Sequence, residues 1–422
     1  MSADLLDIAD RLWRGELDIS DYHPFSFLGG SAEVARDSFF VASFANVSAV
    51  ATGAGLVLVD TGSKILAGQA HEAVRGWRTD PAHTIVFSHG HIDHVFGVEL
   101  YEEDAAAAGA PPVRVVAHEG VPERFSRYQL TAGYNAVINQ RQFGIAGLEW
   151  PLDYRQPDAL YRDRLDIEVG GELFELHHAR GETDDHTWTW VPARKLLCCG
   201  DFFIWASPNC GNPQKVQRYP RDWAAALRQM AALGAETLLP GHGLPILGAE
   251  RIRTTLTDSA DLLESLHDQT VALMNAGATL DEVVEAVVPP ADLLAKPYLR
   301  PVYDEPEFIV RNTWRLYGGW YDGDPANLKP ASSRALARVV AELSGGAVRV
   351  AARAAELAAA GDLRLAGHLA QLAALAAPGD ESVQATRSRV FAARSEAEAS
   401  LMSKGVFRWA AETPIDEGRA QD

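Results

Sequence analysis

At 422 residues, 47% hydrophobic and 23% charged, the chain has the composition of an ordinary globular protein, long enough for one large core and a second, smaller domain. Its formal charge of -19 opposes association with polyanions, so nucleic acid and anionic membrane surfaces are not expected partners, and no apolar run approaches the roughly 18–20 residues that span a bilayer, so no stable membrane insertion is expected. The three cysteines Cys198, Cys199 and Cys210 are too few for a disulfide framework, and the start MSADLLDIADRLWRGELDIS lacks the basic, then apolar, pattern of a secretory leader; the expected location is cytoplasmic.

Between residues 38 and 62, SFFVASFANVSAVATGAGLVLVDTG reads as two β-rich runs around a Thr-Gly-Ala-Gly turn, the pattern of a hairpin. LAGQAHEAVRGWR is helical in period, HTIVFS is a short strand, and VFGVELYEEDAAAAG is a further helix. Strand-like stretches recur in VRVVAHE, GELFELHHA, HTWTWVPARKLLCCGD and AETLLPGHG. This alternation predicts an α/β domain over residues 1–250, with chemistry on the loops that leave strand ends. Residues 251–330 read as a helical connector, with LLESLHDQTVALMNAG and LDEVVEAVV ahead of a Pro- and aromatic-rich stretch. From 331 to 422 the chain is Ala-rich and helical, with turns at SGG, AAGD and APGDE, as in stacked helix hairpins without a strict repeat.

Chemistry concentrates in VFSHGHIDHVFG, residues 86–97, where His89, His91, Asp93 and His94 follow the strand HTIVFS. A loop curling at Gly90 can turn these side chains towards two neighbouring points. Imidazole nitrogens with a carboxylate oxygen suit zinc, and manganese or iron less exclusively. The bland alternative is a polar turn whose histidines are satisfied by backbone groups. One loop cannot complete two metal shells, so further ligands must come from other strand ends. CCGDFF ends a strand at Asp201, and PGHG presents His242 between two glycines. Between the first loop and these lies HHARGETDDHTW, which offers His177, His178, Glu182, Asp184, Asp185 and His186.

HGHIDH, then a Gly-rich turn, then GD, then PGHG, all after VLVDTG, resembles the metallo-β-lactamase superfamily of binuclear metallohydrolases over roughly residues 35–250. The resemblance implies an αββα sandwich with metals at one edge of two packed sheets. His89 and His91 would serve the first metal, Asp93, His94 and His242 the second, and Asp201 would bridge them. Where much of that superfamily has a third histidine, the residue after Gly181 is Glu182; Glu182 is the expected ligand, with His178 and His186 as alternatives. The type III, zinc-dependent alkylsulfatases are similar in having glutamate there. TAGYNAVINQRQFG at 131–144 resembles their Asn- and Arg-containing loop over the active site. RLYGGWYDGDPANL at 315–328 and RSEAEASLMSKGVFRWAAE at 394–412 resemble the two ends of their helical dimerisation domain. Two departures stand out. Those enzymes tend to have glutamate where this chain has Asp201, and the larger ones carry a further lipid-carrier-like domain and often a secretion signal, neither of which is expected here.

What the resemblance implies is an α/β metallo-β-lactamase sandwich followed by an all-α dimerisation domain, two Zn2+ per chain, and a homodimer. Two metals sharing a water make hydroxide available near neutral pH, so the implied activity is hydrolysis of sulfate esters, foremost alkyl sulfates, by a metal-bound hydroxide. Asp93 and Asp201 would act as the catalytic carboxylates that orient it. A small anionic ester needs donors opposite the metals, and Asn135 and Arg141 are expected to supply them from the family-like loop. The second Asn- and Arg-rich loop, PNCGNPQKVQRYPRD, adds Asn209, Arg218 and Arg221, with Asn212 and Lys215 beside them. Arginine suits sulfate because its planar fork pairs two oxygens at once. Lactones, thioesters and phosphoesters are the alternative substrates, since a fold does not fix a reaction. A non-catalytic metal-bound dimer is the lesser alternative, against which an open water position counts.

Overall fold

The computed structural model describes residues 5–416. By its internal contacts the chain divides into two compact units, one of residues up to 132 with 150–320, the other of 133–149 with 321 onward.

The first unit is built on two sheets. The larger holds β1 (Ser31–Ala35), β2 (Ser38–Val41), β3 (Val47–Thr52), β4 (Gly55–Val59), β5 (Ala82–Val86), β6 (Arg114–His118) and β7 (Ala159–Tyr161), adjacent in that order. β1 to β4 are antiparallel neighbours, whereas β4, β5, β6 and β7 run parallel. The smaller holds β8 (Arg164–Val169), β9 (Glu172–His178), β10 (Thr187–Val191), β11 (Leu196–Gly200), β12 (Thr237–Pro240) and β13 (Ile246–Leu247). Its strands pair antiparallel except β11 with β12, which run parallel.

Parallel strands need crossovers: Ala67–Trp77 lies on the one from β4 to β5, Val98–Ala107 on that from β5 to β6, Val121–Leu130 on that from β6 to β7, and Pro220–Ala231 on that from β11 to β12. Phe39, Val47, Leu56, Leu58, Ile85 and Val115 of the larger sheet form one core with Ala70 and Val74, Val98 and Tyr101, and Val121 and Phe125 of the helix Val121–Leu130. On the other sheet, Pro220–Ala231 buries Trp223, Leu227 and Met230, and packs along Ala249–Asn275, which buries Leu256, Leu263 and Leu266. The layering is helix, sheet, sheet, helix, as expected of an αββα sandwich. Two hairpin tips fix how closely the sheets approach. β8 and β9 turn at Gly170 and Gly171, with φ of 59° and 84°, a two-residue turn that asks for positive φ twice. A Cβ on Gly170 would lie 2.5 Å from the Gly53 nitrogen in the β3–β4 turn.

Two elements differ from the sequence reading. SFFV and VSAVAT are separate strands, because the stretch between β2 and β3 turns the chain back, so the two β-rich runs are three strands. HTWTWVPARKLLCCGD is likewise two strands, divided by the 3-10 turn Pro192–Arg194 and by Lys195 at φ 47°. The compact units are also drawn differently from the three expected segments, since Ala249–Asn275 belongs with the sandwich through its buried leucines.

The second unit is helical. Ser333–Leu343, Ala347–Ala359, Leu363–Ala376, Glu381–Ala397 and Leu401–Glu412 pack mostly through alanine, with Ala354, Ala366 and Ala370 around Val390, and Ala351, Ala373 and Ala374 around Val350 and Val383. Side-chain caps from Ser332, Asp362, Asp380 and Ser400 start four of these helices. The segment expected to be a loop, 131–144, is the helix Ala132–Phe143, of which residues from 133 on belong to this unit. No helix among the described residues is long and apolar enough to cross a membrane.

Candidate metal centre

Asp60, the residue after β4, holds φ 61° and is 2% exposed. An aspartate tolerates this left-handed geometry better than most residues, and here it turns the carboxylate onto the loop leaving β5. Asp60 Oδ1 accepts the Ser88 amide (2.7 Å), and Oδ2 accepts the Ser88 hydroxyl (2.6 Å) and His94 Nδ1–H (2.7 Å). The Thr61 amide donates to the His94 carbonyl (2.8 Å), and the Gly97 amide donates to Thr61 Oγ1 (3.0 Å). VDTG is thus the cradle that shapes HGHIDH.

With its hydroxyl proton given to Asp60, Ser88 Oγ accepts Nδ1–H of His89 at 2.9 Å. That leaves His89 Nε2 as the ring's lone-pair nitrogen, 2.8 Å from His91 Nδ1. His91 Nδ1 lies 3.8 Å from Glu182 Oε2, and His89 Nε2 lies 3.8 Å from Asp201 Oδ2. A second group faces the same aspartate: His242 Nε2 is 3.4 Å from Asp93 Oδ2 and 3.3 Å from Asp201 Oδ2. His94 Nε2 is 3.8 Å from Asp93 Oδ2 and 3.6 Å from Asp201 Oδ2. Two ligands about 2.0 Å from one tetrahedral ion are about 3.3 Å apart, the spacing these pairs straddle. His89, His91, Glu182 and Asp201 could hold one ion and Asp93, His94 and His242 another, each set with its ligand atoms within 4.8 Å.

Burial and charge fit such ions. His94 Nε2, His242 Nε2, Glu182 Oε2 and Asp201 Oδ1 are buried and have no hydrogen-bond partner among the described residues. Leaving such atoms unmet costs roughly 1–3 kcal/mol each. Burial pushes His89 and His91 well below the ordinary imidazole value, so both rings are neutral, the form that ligates. Burial opposes charge on Asp201 too, but His242 and His94 hold it well below the usual carboxylate range. Burial likewise opposes charge on His242, yet Asp201 and Asp93 raise it to about 10. Asp201 and Glu182, both buried, and the half-buried Asp93 face these histidines, and although burial pushes Glu182 well above the usual carboxylate range, the cluster is one that a pair of dications would neutralise.

The other expected residues fall into three places. Asn209 and Arg218 lie on Glu182: Asn209 Nδ2 donates to Glu182 Oε1, Arg218 Nη2 is 3.1 Å from the same oxygen, and Arg218 Nη1 donates to the Asn209 carbonyl. Arg221 is exposed in the first turn of Pro220–Ala231. Asn135 and Arg141 lie on Ala132–Phe143 in the helical unit, where Arg141 stacks over Trp409 at 4.1 Å. Neither alternative ligand joins the two sets. His178 Nδ1–H donates to the His186 carbonyl (2.9 Å), and its ring stacks on His118 at 3.6 Å. His186 Nε2 accepts the Asp201 amide (3.0 Å), and its ring stacks on His89 at 4.3 Å.

Sequence reading passed over Asp60 and Ser88 as functional residues, although VDTG ending a strand was a usable signal. It also missed the aromatic rings around His242. Lys215 is half-buried with its ammonium 5.7 Å above the Trp150 ring, and burial, with the charge of Arg218, lowers it to about 8.

Comparison with known proteins matches residues 41–242 to the metallo-beta-lactamase superfamily and residues 279–415 to alkyl sulfatase dimerisation. A linear primary-alkylsulfatase of a Pseudomonas species is 30% identical over 322 residues, 70% of this chain and 60% of its own. An (R)-specific secondary-alkylsulfatase of Pseudomonas is 29% identical over 335 residues, 72% of this chain and 50% of its own. An alkyl/aryl-sulfatase of Saccharomyces cerevisiae is 27% identical over 298 residues, 65% of this chain and 46% of its own. The chain thus spans about half to three-fifths of these relatives. Among solved structures, a double mutant of the sec-alkyl sulfatase PisA1 is similar at a TM-score of 0.82 and 25% identity, over 93% of this chain and 67% of that one.

Proposed function

The chain belongs to the metallo-beta-lactamase superfamily and carries an alkyl sulfatase dimerisation domain, a homologue of the Pseudomonas alkylsulfatases, and on that premise we propose that it hydrolyses alkyl sulfate esters with two zinc ions as a cytoplasmic homodimer. The observation that carries the reading is the meeting of two ligand sets at Asp201. His89, His91 and Glu182 would hold one ion, Asp93, His94 and His242 the other, with Asp201 between them. Nitrogen and carboxylate oxygen donors favour zinc, and a dinuclear pair, when bound, supplies a water acidified towards neutral pH and a Lewis acid for the ester.

The chain's own residues do the rest. Asp60 and Ser88 fix which nitrogens of His94 and His89 face the centre. Asn209 and Arg218 hold Glu182 by one oxygen and leave the other towards His91. Asp93 and Asp201 present carboxylate oxygens to His242 and, with the metals bound, would orient the water that attacks the ester. Because Arg218 is engaged by Glu182 and Arg221 is exposed, Lys215 is the cation of that loop assigned to the sulfate. Its charge acts on Glu182, Asp93 and His91, and no ion pair to it occurs among the described residues. Asn135 and Arg141 remain proposed substrate contacts on family likeness. The dimer rests on the match over 279–415. The cytoplasmic assignment rests on Cys198, Cys199 and Cys210, which are buried and unpaired with one another.

Sulfate release across a chain-length series of alkyl sulfates tests the reading. Release that depends on tail length supports it, whereas hydrolysis of lactones, thioesters or phosphoesters with no sulfate released would replace it.

A further inference from the structure

His242 is enclosed by aromatic rings that come from far along the chain. Phe25 lies against its imidazole at 4.1 Å between centroids, tilted 31°, and Phe44 meets it edge-on at 5.6 Å and 90°. Phe25 is in turn stacked on Tyr303, at 3.6 Å and 16°. Tyr303 is 5% exposed and so has little room to yield.

Phe25 sits in residues 18–30, ahead of β1, which carry no ligating side chain in either set. This segment is nevertheless tied down. Asp18 receives both hydrogen bonds of one Arg300 nitrogen, at 2.8 and 2.9 Å. His23 Nε2–H donates to the Val302 carbonyl (3.1 Å), while its Nδ1 accepts the Phe25 amide (3.1 Å). The Ala42 amide donates to the Gly30 carbonyl (3.0 Å), joining the far end of the segment to the residue after β2.

We propose that Phe25 is a positioning residue for the second metal set, acting through His242. The imidazole is held at one point by Nδ1–H on the Phe44 carbonyl, 2.5 Å away. A single hydrogen bond leaves the ring free to tilt about it, since the second side-chain torsion of histidine is broad. The Phe25 face removes that tilt, and Tyr303 keeps Phe25 in place. Nε2 is thereby aimed at Asp93 and Asp201, 3.4 and 3.3 Å away. The segment 18–30 and the connector 300–303 thus work as a strap over one ligand of one ion, and the other set has no contact with it among the aromatic pairs described. The inference rests on the two-metal reading and adds to it a reason for the two affinities to be separable.

The test is zinc titration of the stripped, full-length protein against a chromogenic chelator, for wild type, Phe25→Ala and Phe25→Tyr. Wild type should take up two ions. Phe25→Ala should weaken one of them by about 10–100-fold, as loss of an outer partner of a metal ligand does, and leave the other unchanged. Phe25→Tyr keeps the ring and should stay near wild type. Phe25→Leu, which keeps most of the bulk, guards against a misfolded alanine variant and should give an intermediate loss. A merely structural role would lower the melting temperature without separating the two affinities. Unchanged binding of both ions in folded Phe25→Ala or Phe25→Leu, or equal weakening of both, overturns the proposal. Fewer than two ions on wild type would instead overturn the two-metal reading beneath it.

Discussion

Asn209 and Arg218 direct their donors at one oxygen of Glu182, so the carboxylate reaches His91 already oriented. Glu182→Ala should lower the metal content from two ions per chain towards one, measured by elemental analysis. Unchanged content would pass the ligand role to His178 or His186. Asp60→Asn is expected to cost about 10–100-fold in affinity at the His94 ion, because it weakens the acceptor for His94 Nδ1–H; equilibrium titration reads it. At this scale the sequence was most informative where ligands sit close together. Four candidate ligands in six residues after a short strand could hardly be read otherwise. It was least informative about partners. Asn209, 27 residues from Glu182 in sequence, looked like a donor for substrate, because which carboxylate an amide meets is decided by the fold. Phe25 lies 217 residues before His242 (242 − 25), and nothing local marks it as a neighbour.

Gly405 shows how the elements of the helical unit approach one another. A Cβ there would collide with the Gln142 carbonyl of the helix Ala132–Phe143. Gly405→Ala should therefore destabilise that unit by about 1–3 kcal/mol, seen as a lower midpoint in thermal or urea unfolding. A second consequence concerns pH. The Ser20 amide and the Arg300 guanidinium hold Asp18 down, to about 2, against about 3.9 in an unfolded chain. A depressed carboxylate stabilises the folded state above the unfolded value and loses that contribution as pH falls through the folded one. The melting-temperature gap between wild type and Asp18→Asn should thus be present at pH 5 and close by pH 2. It should be small, because Arg300 and Asp18 are 41% and 50% exposed and screened by solvent. The same helices and strands explain what sequence pattern could yield. HTIVFS, VRVVAHE and GELFELHHA became β5, β6 and β9 because apolar period and strand length agreed. ASFAN hid the β2–β3 reversal, since it lacks the glycine or proline that marks most turns. The 131–144 stretch was read by likeness as a loop, although a run from Ala132 to Phe143 without proline has ordinary helical propensity.

For the molecule as a whole, the helical unit leaves a stripe of apolar side chains in solvent. Leu336, Val339 and Leu343, at i, i+3 and i+7 on Ser333–Leu343, are 54%, 53% and 83% exposed, the spacing of one helix face. If the proposed homodimer forms through this face, Leu336→Glu with Leu343→Glu should shift the sedimenting species from dimer to monomer without loss of helicity. The central claim is a pair of metal ions required for sulfate ester cleavage. The most direct measurement is metal content and sulfate release from an alkyl sulfate on one preparation, before chelation, after it, and after zinc is returned. The expected result is about two ions per chain, loss of release on chelation and recovery with zinc. Sulfate release that persists in the stripped protein, or none in a protein that holds two ions, would contradict it.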